Sequence, residues 1–217
     1  MEQFKQIGNK AIRRIGYGLL AIGMLCGCGN KYQYIPKDIE PISVEIVRFD
    51  NAQLGVRPDS VKQDIKQLYD DYESFMPIFV EGILCIPTED IAYLCEMYAQ
   101  FLTDTAMGFA QTNAKAQSLF ANVDSLQETL NMGFTRLHHL YPDWKIPTLY
   151  LFVSGFNSSV MYYEDIVGVG IDMYLGSEYP YYNQVVYDYQ KQTMRKGCVA
   201  IDVLSMYLAY NISYNSK

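Results

Sequence analysis

The 217-residue chain contains few histidines, and this shortage limits its metal chemistry. His138 and His139 are the two present. Zinc proteases place two histidines four residues apart on a helix with a glutamate between them, and two adjacent histidines cannot form that arrangement. Neighbouring helical residues point about 100° apart. We therefore predict that neither histidine holds a metal, that His139 is solvated and that His138 lies at the edge of the core.

Basic charge is also in short supply. The chain has 17 Lys and Arg against 24 Asp and Glu, a formal net charge of −7 and a pI near 4.8. Binding to nucleic-acid phosphates needs clustered Lys and Arg, so the composition argues against a nucleic-acid partner. Half of the residues are hydrophobic, which excludes a disordered chain.

Motifs for catalysis and cofactor binding are missing as well. Ser154-Gly155 is predicted to lie at a strand end, but the pattern Gly-x-Ser-x-Gly is absent and both histidines precede the serine. Cys198 has no local signature of a catalytic thiol, and no Gly-rich phosphate loop precedes a helix. We therefore predict no enzyme activity, no catalytic residue, no cofactor and no metal.

Three carboxylates could still serve in acid–base chemistry. Glu164 and Asp165 precede a predicted strand, and Asp172 lies within it. The alternative is that Glu164 and Asp165 occupy a solvated turn, and that Asp172 accepts hydrogen bonds from backbone amides near Gly176. We favour this alternative because the sequence shows no third group that could act with the carboxylates.

The first 28 residues are typical of a bacterial export signal. Four basic residues come first, at positions 5, 10, 13 and 14. The apolar run Ile15–Leu25 is shorter than the roughly 20 residues of a membrane span and suits a signal peptide. The run ends in Leu25-Cys26-Gly27-Cys28, which resembles a bacterial lipobox. The resemblance implies that residues 1–27 are removed as a signal peptide and that Cys28 is the lipid attachment site; the alternative is an uncleaved leader or a transmembrane anchor.

The chain that follows the signal peptide is strongly acidic. It keeps 13 basic and 23 acidic residues, a net charge of −10. Two or three acyl chains on Cys28 would anchor it stably, while its charge would keep it away from an anionic membrane surface. Residues 28–40 are predicted to be a tether. In some bacteria, an acidic run after the lipidated cysteine is the kind of signal that sends a lipoprotein to the outer face of the outer membrane. No such run follows Cys28, and its absence favours the periplasmic side.

Three cysteines remain after export and acylation. These residues are Cys85, Cys95 and Cys198, an odd number for an oxidising compartment. Either one disulfide forms and leaves one free thiol, or all three are buried thiols. We favour buried thiols because Cys95 lies on the apolar face of a predicted helix.

The pattern of apolar residues predicts one α+β (mixed α/β) domain over residues 41–217. An alternating strand is predicted over Ile42–Phe49, and helices follow with apolar stripes over about 61–76, 88–102 and 114–141. Ser60 and Gln63 resemble a capping box for the first of these helices. Further strands are predicted over Ile146–Phe156, Ser159–Tyr163 and Ile166–Tyr174, the first of them buried on both faces.

The C-terminal part is predicted to be helical from Tyr181 to Tyr210, with a break near Gly197. Gly168 and Gly170 are expected where another backbone approaches closely, or at a bulge. Eight tyrosines are found in this part of the chain, which suits either a partner-binding face or a half-buried sheet rim. We favour the rim; the tyrosines are 162, 163, 174, 179, 181, 182, 187 and 189.

Four features together resemble one family. They are the lipobox leader, the segment Arg48-Phe49-Asp50, the run Leu151-Phe152-Val153-Ser154-Gly155-Phe156-Asn157, and the run Gly170-Ile171-Asp172-Met173-Tyr174-Leu175-Gly176 before Tyr179-Pro180. In these features the chain resembles the gliding-motility lipoprotein GldB family over roughly residues 40–215. The family also resembles, remotely, zinc-metallopeptidase-like (zincin-like) folds.

The resemblance implies a lipid-anchored cell-envelope protein that binds protein partners in gliding machinery or in the linked secretion machinery. Members of the family are usually longer, so the GldB-like domain is expected to be C-terminally incomplete. One alternative is a degenerate or inactive zinc-metallopeptidase-like domain, although no His-Glu-x-x-His helix is present. A further alternative is a glycan- or ligand-binding lipoprotein that uses its tyrosines.

Overall fold

The computed structural model of the chain describes residues 39–87 and 90–215, apart from the side chains of the last two. The predicted signal peptide, Cys28 and most of the predicted tether lie outside the described residues. Four strands form one mixed sheet: β1 (Ile46–Val47), β2 (Thr148–Phe152), β3 (Val160–Tyr163) and β4 (Ile166–Gly170). Their order in the sheet is β1-β2-β4-β3. Strands β1, β2 and β4 are parallel, and β3 pairs antiparallel with β4.

Eight α-helices are found in the described residues. They are α1 (Phe49–Leu54), α2 (Val61–Asp71), α3 (Ile91–Thr103), α4 (Phe109–Leu119), α5 (Asp124–Leu140), α6 (Tyr182–Val185), α7 (Asp188–Lys191) and α8 (Val199–Asn215). A π-helix spans Ile78–Ile83, and 3-10 helices span Pro58–Ser60, Ile171–Tyr174 and Lys196–Cys198. This mixture of helices with one sheet confirms the predicted α+β class.

Strand β2 is buried on both faces, as its continuous apolar run predicts. Leu149 and Leu151 belong to a core cluster that includes residues of α4, α5 and α8. Tyr150 and Phe152 pack in a second cluster with α1, α2, α3 and the π-helix. Alternate residues of a strand point to opposite faces, so this one strand separates the two cores. Phe75 stacks on Tyr150 at 4.2 Å between ring centroids.

The first strand is shorter than predicted. At its expected start, side chains of helix α5 bind the backbone groups that a neighbouring strand would otherwise pair. The amide of Ile42 donates to Thr135 Oγ1, and the amide of Val44 donates to Asn131 Oδ1, both at 2.9 Å. Gln127 Nε2 donates to the carbonyl of Val44 at 2.7 Å. These side chains satisfy the backbone groups that a strand would otherwise pair.

Helix boundaries differ from the expectations in three places. The predicted helix over about 114–141 is two helices, and the Lys196 ammonium donates to the carbonyls of Leu119 and Asn122 at the break between them. The predicted capping box is wrong, because the Ser60 hydroxyl donates to Asp64 Oδ2 and caps no amide. Helix α3 begins at Ile91 and is capped by Asp90, whose carboxylate accepts from the amide of Tyr93 at 2.9 Å.

Both glycines of β4 have close neighbours, but only Gly170 lies against another backbone as predicted, because the neighbours of Gly168 are side chains. A Cβ on Gly168 would lie 2.8 Å from Met161 Sδ and 2.8 Å from a ring carbon of Phe152. A Cβ on Gly170 would overlap the backbone carbonyl oxygen of Ser158. Hydrogen at these positions therefore lets β4 lie against β3 and against the segment that follows β2.

We predict that Gly170→Ala lowers the free energy of unfolding by about 3 kcal/mol, since a methyl group there forces the Ser158 backbone to move. Urea unfolding followed by circular dichroism measures the change. Gly197→Ala is the matched control, because a Cβ at Gly197 meets nothing within 4 Å. Equal unfolding midpoints for the two variants would contradict the prediction.

Candidate functional site

The candidate site lies at the carboxyl ends of the parallel strands β2 and β4. In open sheets with parallel strands, this edge is where ligands usually bind. Strand β2 is followed by Val153, Ser154 and a turn in which Gly155 has φ +66° and Phe156 has φ +64°. Glycine adopts a left-handed conformation at no steric cost, whereas Phe156 must be held in it by other contacts.

The buried carboxylate of Asp172 holds this turn. Asp172 follows β4 in a 3-10 helix and has no exposed surface. Its Oδ1 accepts from the amide of Ser154 at 2.8 Å, and its Oδ2 accepts from the amide of Phe156 at 2.7 Å. The prediction that Asp172 accepts from backbone amides is therefore correct, but the prediction that these amides lie near Gly176 is wrong. The carboxylate connects the ends of two adjacent strands.

The Ser154 hydroxyl uses its whole hydrogen-bonding capacity within the turn. Ser154 Oγ lies 3.0 and 3.1 Å from the two carboxylate oxygens of Asp172 and accepts from the amides of Asn157 at 3.1 Å and Ser158 at 3.2 Å. A hydroxyl has one proton to donate and two lone pairs. Ser154 is also fully buried, and its bonds hold the turn in place.

Burial raises the pKa of Asp172 above its ordinary value, and the hydrogen bonds from Ser154 and Phe156 offset part of that rise. A raised native pKa means that the folded state holds its proton to higher pH than the unfolded chain does. Ionisation of Asp172 therefore lowers the stability of the fold as the pH rises through the native pKa.

Two further buried groups complete the framework around this edge. The Gln53 side chain donates to the carbonyl of Val153 at 2.7 Å and accepts from its amide at 2.8 Å, as a neighbouring strand would do. The Tyr182 hydroxyl donates to the carbonyl of Asp172 at 2.7 Å and accepts from the amide of Leu175 at 2.8 Å. Burial raises the pKa of Tyr182, so this hydroxyl stays protonated at neutral pH.

A small apolar pocket of about 180 Å³ adjoins the turn. Its lining includes Ile86, Met97, Phe101 and Phe109, with Gly155 at one side. Small-molecule sites commonly occupy roughly 300–1,000 Å³. The pocket is therefore too small for most substrates, and two polar side chains of its lining are already hydrogen-bonded, Ser154 to Asp172 and Asn157 to the carbonyl of Ile83.

Residues 31–217 match the protein-family model described as Gliding motility protein GldB. The chain belongs to the GldB family. The match confirms the resemblance seen in the sequence and covers nearly all of the chain that follows Cys28. Neither the comparison with curated proteins nor the comparison with solved structures found a match. The remote likeness to zinc-metallopeptidase folds stays a prediction.

Three of the segments that resemble the GldB family lie within the described residues. Residues 151–157 and 170–176 are joined by the bonds that Asp172 accepts from Ser154 and Phe156. Arg48-Phe49-Asp50 lies at the start of α1, which also supplies Gln53. Arg48 donates to the buried carboxylate of Asp50 through Nε at 2.8 Å and through Nη2 at 2.6 Å. The hydrogen bond to Asp50 raises the pKa of Arg48.

Phe49 joins the same segment to the second core. Its ring lies 5.0 Å from the rings of Tyr72, Phe75 and Phe79, in edge-to-face arrangements. Edge-to-face aromatic pairs contribute roughly 0.5–1.5 kcal/mol each beyond the area that they bury. The segment therefore combines a buried charge pair with an aromatic anchor.

The other candidate residues of this GldB-family chain lie apart from the site. Glu164 and Asp165 form the exposed turn between β3 and β4, as the favoured interpretation predicts, and Asp165 pairs with Lys145 at 2.8 Å. His138 and His139 lie in the last turn of α5, and Nδ1 of His138 is buried with no hydrogen-bond partner among the residues that the structure describes. Within residues 39–87 and 90–215, no cluster of three or more His, Cys, Asp or Glu side chains could hold a metal ion.

The burial of the cysteines and tyrosines differs in part from the predictions. Cys85, Cys95 and Cys198 are free thiols, but Cys85 is exposed and the other two are half-buried, so the prediction of three buried thiols is wrong. The eight tyrosines divide into three groups, because residues 162, 179 and 181 are half-buried, as a sheet rim predicts, while two are buried and three are exposed. Tyr174 and Tyr182 are core residues, whereas Tyr187 and Tyr189 are 73% and 74% exposed.

We predict that Asp172→Asn lowers the free energy of unfolding by about 1–3 kcal/mol. The substituted amide would direct its own N–H groups at a backbone N–H donor and leave that buried donor unpaired. Urea unfolding at pH 7 measures the loss. Asp143→Asn, at an exposed carboxylate, is the control. A stability of Asp172→Asn equal to that of the control would show that the carboxylate does not hold the turn.

Proposed function

We propose that this GldB-family protein is a lipoprotein held through Cys28 on the periplasmic side of the outer membrane. There it binds proteins of the gliding machinery or of the linked secretion machinery, and it catalyses no reaction. Membership of a gliding-motility family is the observation that carries the proposal. The lipobox that ends at Cys28 supplies the mode of attachment.

Among the described residues, no helix is both long enough and apolar enough to span a membrane. The anchor that we propose is Cys28 with two or three acyl chains, which would hold the protein stably on the membrane. The net charge of −10 after the signal peptide favours a body that faces partners in the aqueous space, because an anionic lipid surface repels it.

The side chains at the carboxyl edge of the sheet support a role without catalysis. Ser154 and Asp172 satisfy each other and the backbone of the turn, so the proposal gives neither of them a part in chemistry. The alternative of a degenerate or inactive zinc-metallopeptidase-like domain gains no support from the arrangement of the described residues.

Helix α8 supplies a surface suited to a protein partner. Its Val199, Val203 and Tyr207 are buried, while Ile201 is 64% exposed and Ile212 is 52% exposed. Residues eleven apart lie on nearly the same side of a helix, so these two isoleucines belong to one outward face. Exposed apolar surface of this kind is typical of interaction sites.

We predict that the wild-type protein fractionates with membranes and carries acyl chains on Cys28, and that Cys28→Ser abolishes both properties. Metabolic labelling with a fatty-acid analogue and mass spectrometry of the N-terminus measure the modification. Cys26→Ser is the control, since the lipobox Cys at position 28 is intact in it. An unmodified Cys28 with residues 1–27 still attached would contradict the proposal.

We predict that crosslinking in intact cells joins the native lipoprotein to proteins of the gliding or secretion machinery, and that Ile201→Asp reduces recovery of these partners at least tenfold. A charge in a desolvated interface is strongly unfavourable. Met107→Asp is the matched control, because Met107 is 61% exposed and lies outside α8. Recovery of no envelope protein by the wild type would overturn the proposed role.

A further inference from the structure

An open polar cleft of about 580 Å³ lies between the segments 177–183 and 188–195. Two backbone contacts fix the segments relative to each other. Leu175 and Arg195 form an isolated antiparallel bridge, and the amide of Gly176 donates to the carbonyl of Met194 at 2.8 Å. The volume lies within the range of small-molecule sites, and the cleft is formed before any ligand arrives.

The lining of the cleft offers many hydrogen-bonding groups and balanced charge. It contains two acids, two bases and two amides: Glu178, Asp188, Lys191, Arg195, Asn183 and Gln192. A phosphate or another anion would gain little from a surface with as many carboxylates as cations. An aliphatic ligand would find little apolar surface. A neutral ligand that carries several hydroxyl or amide groups suits this lining.

The ammonium group of Lys191 is held in place before any ligand binds. The Lys191 side chain is only 12% exposed, and its ammonium donates to Asp188 Oδ1 at 2.6 Å and to Asn183 Oδ1. The hydrogen bond from Lys191 lowers the pKa of Asp188, so that carboxylate is ionised at neutral pH. The Asp188 side chain itself is 96% exposed, which makes it an accessible acceptor.

Two exposed aromatic rings belong to the residues next to this acceptor in the chain, outside the lining of the cleft itself. Tyr187 and Tyr189 precede and follow Asp188 in the chain, and both are about three-quarters exposed. Their rings are nearly parallel, with an interplanar angle of 8° and 5.9 Å between centroids. Each ring has a flat apolar face and a polar tip. A sugar ring has the complementary form, with C–H groups on its faces and hydroxyls at its edge.

We infer that this cleft binds a neutral oligosaccharide. Its hydroxyls exchange hydrogen bonds with Asp188, Asn183 and the other polar groups of the lining. Further units of the oligomer extend beyond the lining and stack on the outward ring faces of Tyr187 and Tyr189. The inference is independent of the proposed function, because the cleft is remote in sequence from Cys28 and includes no residue of the outward face of α8.

The test uses the full-length lipoprotein in detergent and an array of neutral hexose and N-acetylhexosamine oligomers of two to six units. We expect the wild type to bind at least one of these oligomers. The double variant Tyr187→Ala/Tyr189→Ala should weaken that binding at least tenfold in a calorimetric titration. Both rings are exposed, so we expect the variant to keep the wild-type melting temperature. Tyr93→Ala is the control, at a tyrosine of α3 that is 44% exposed.

Three results would overturn the inference. The wild type could bind none of the neutral oligomers. The double variant could bind them as tightly as the wild type and the Tyr93→Ala control do. Uronate oligomers, included on the array as charged probes, could bind more tightly than every neutral oligomer, which would assign the cleft to anions.

Discussion

The carboxylate of Asp172 is the group on which the arrangement at the sheet edge depends. It is buried, and it connects the end of β4 to the turn after β2 through backbone amides. Tyr182 holds the carbonyl of the same residue, while Gln53 holds the residue just before the turn. Each bond satisfies a backbone group that would be costly to bury unpaired. The result is a rigid polar framework between two apolar cores.

This framework gives a physical meaning to the segments by which the sequence resembles the GldB family. A serine followed by glycine at a strand end resembles a catalytic serine, and Asp172 is a separate candidate for acid–base chemistry. In the structure the two side chains lie within hydrogen-bond distance of each other, and both accept from backbone amides of the turn. The surfaces that we propose for recognition lie elsewhere, on α8 and in the cleft beside α7.

Several features of the fold can be predicted from local patterns, because the cause lies in adjacent residues. The apolar run around Leu149 and Leu151 predicts a strand buried on both sides, and Glu164-Asp165 between two such runs predicts the exposed turn. Gly170 predicts the close approach of another backbone. The partners of Asp172 could not be predicted in the same way, since Ser154 and Phe156 are brought to it by the register of β2 and β4.

The pairing of Gln53 with Val153 is even less predictable from the sequence, because it joins residues 100 positions apart and leaves no periodic signal in either segment. The sequence pattern predicts a strand up to Phe49 and does not predict that α1 begins there, for a related reason. The β-branched run before it favours a strand, but tertiary contacts of Phe49 with three aromatic rings outweigh local preference. Long-range side-chain contacts thus set boundaries that propensity alone places elsewhere.

The side chains that α5 directs at Ile42 and Val44 also affect how copies of the protein meet one another. An uncovered strand edge can recruit an edge from a second molecule and start aggregation. Thr135, Asn131 and Gln127 occupy the hydrogen-bonding groups on this side, next to the two-residue β1. If the proposed membrane attachment concentrates the molecules in two dimensions, the backbone groups of Ile42 and Val44 that α5 already binds are closed to a strand from a neighbouring copy.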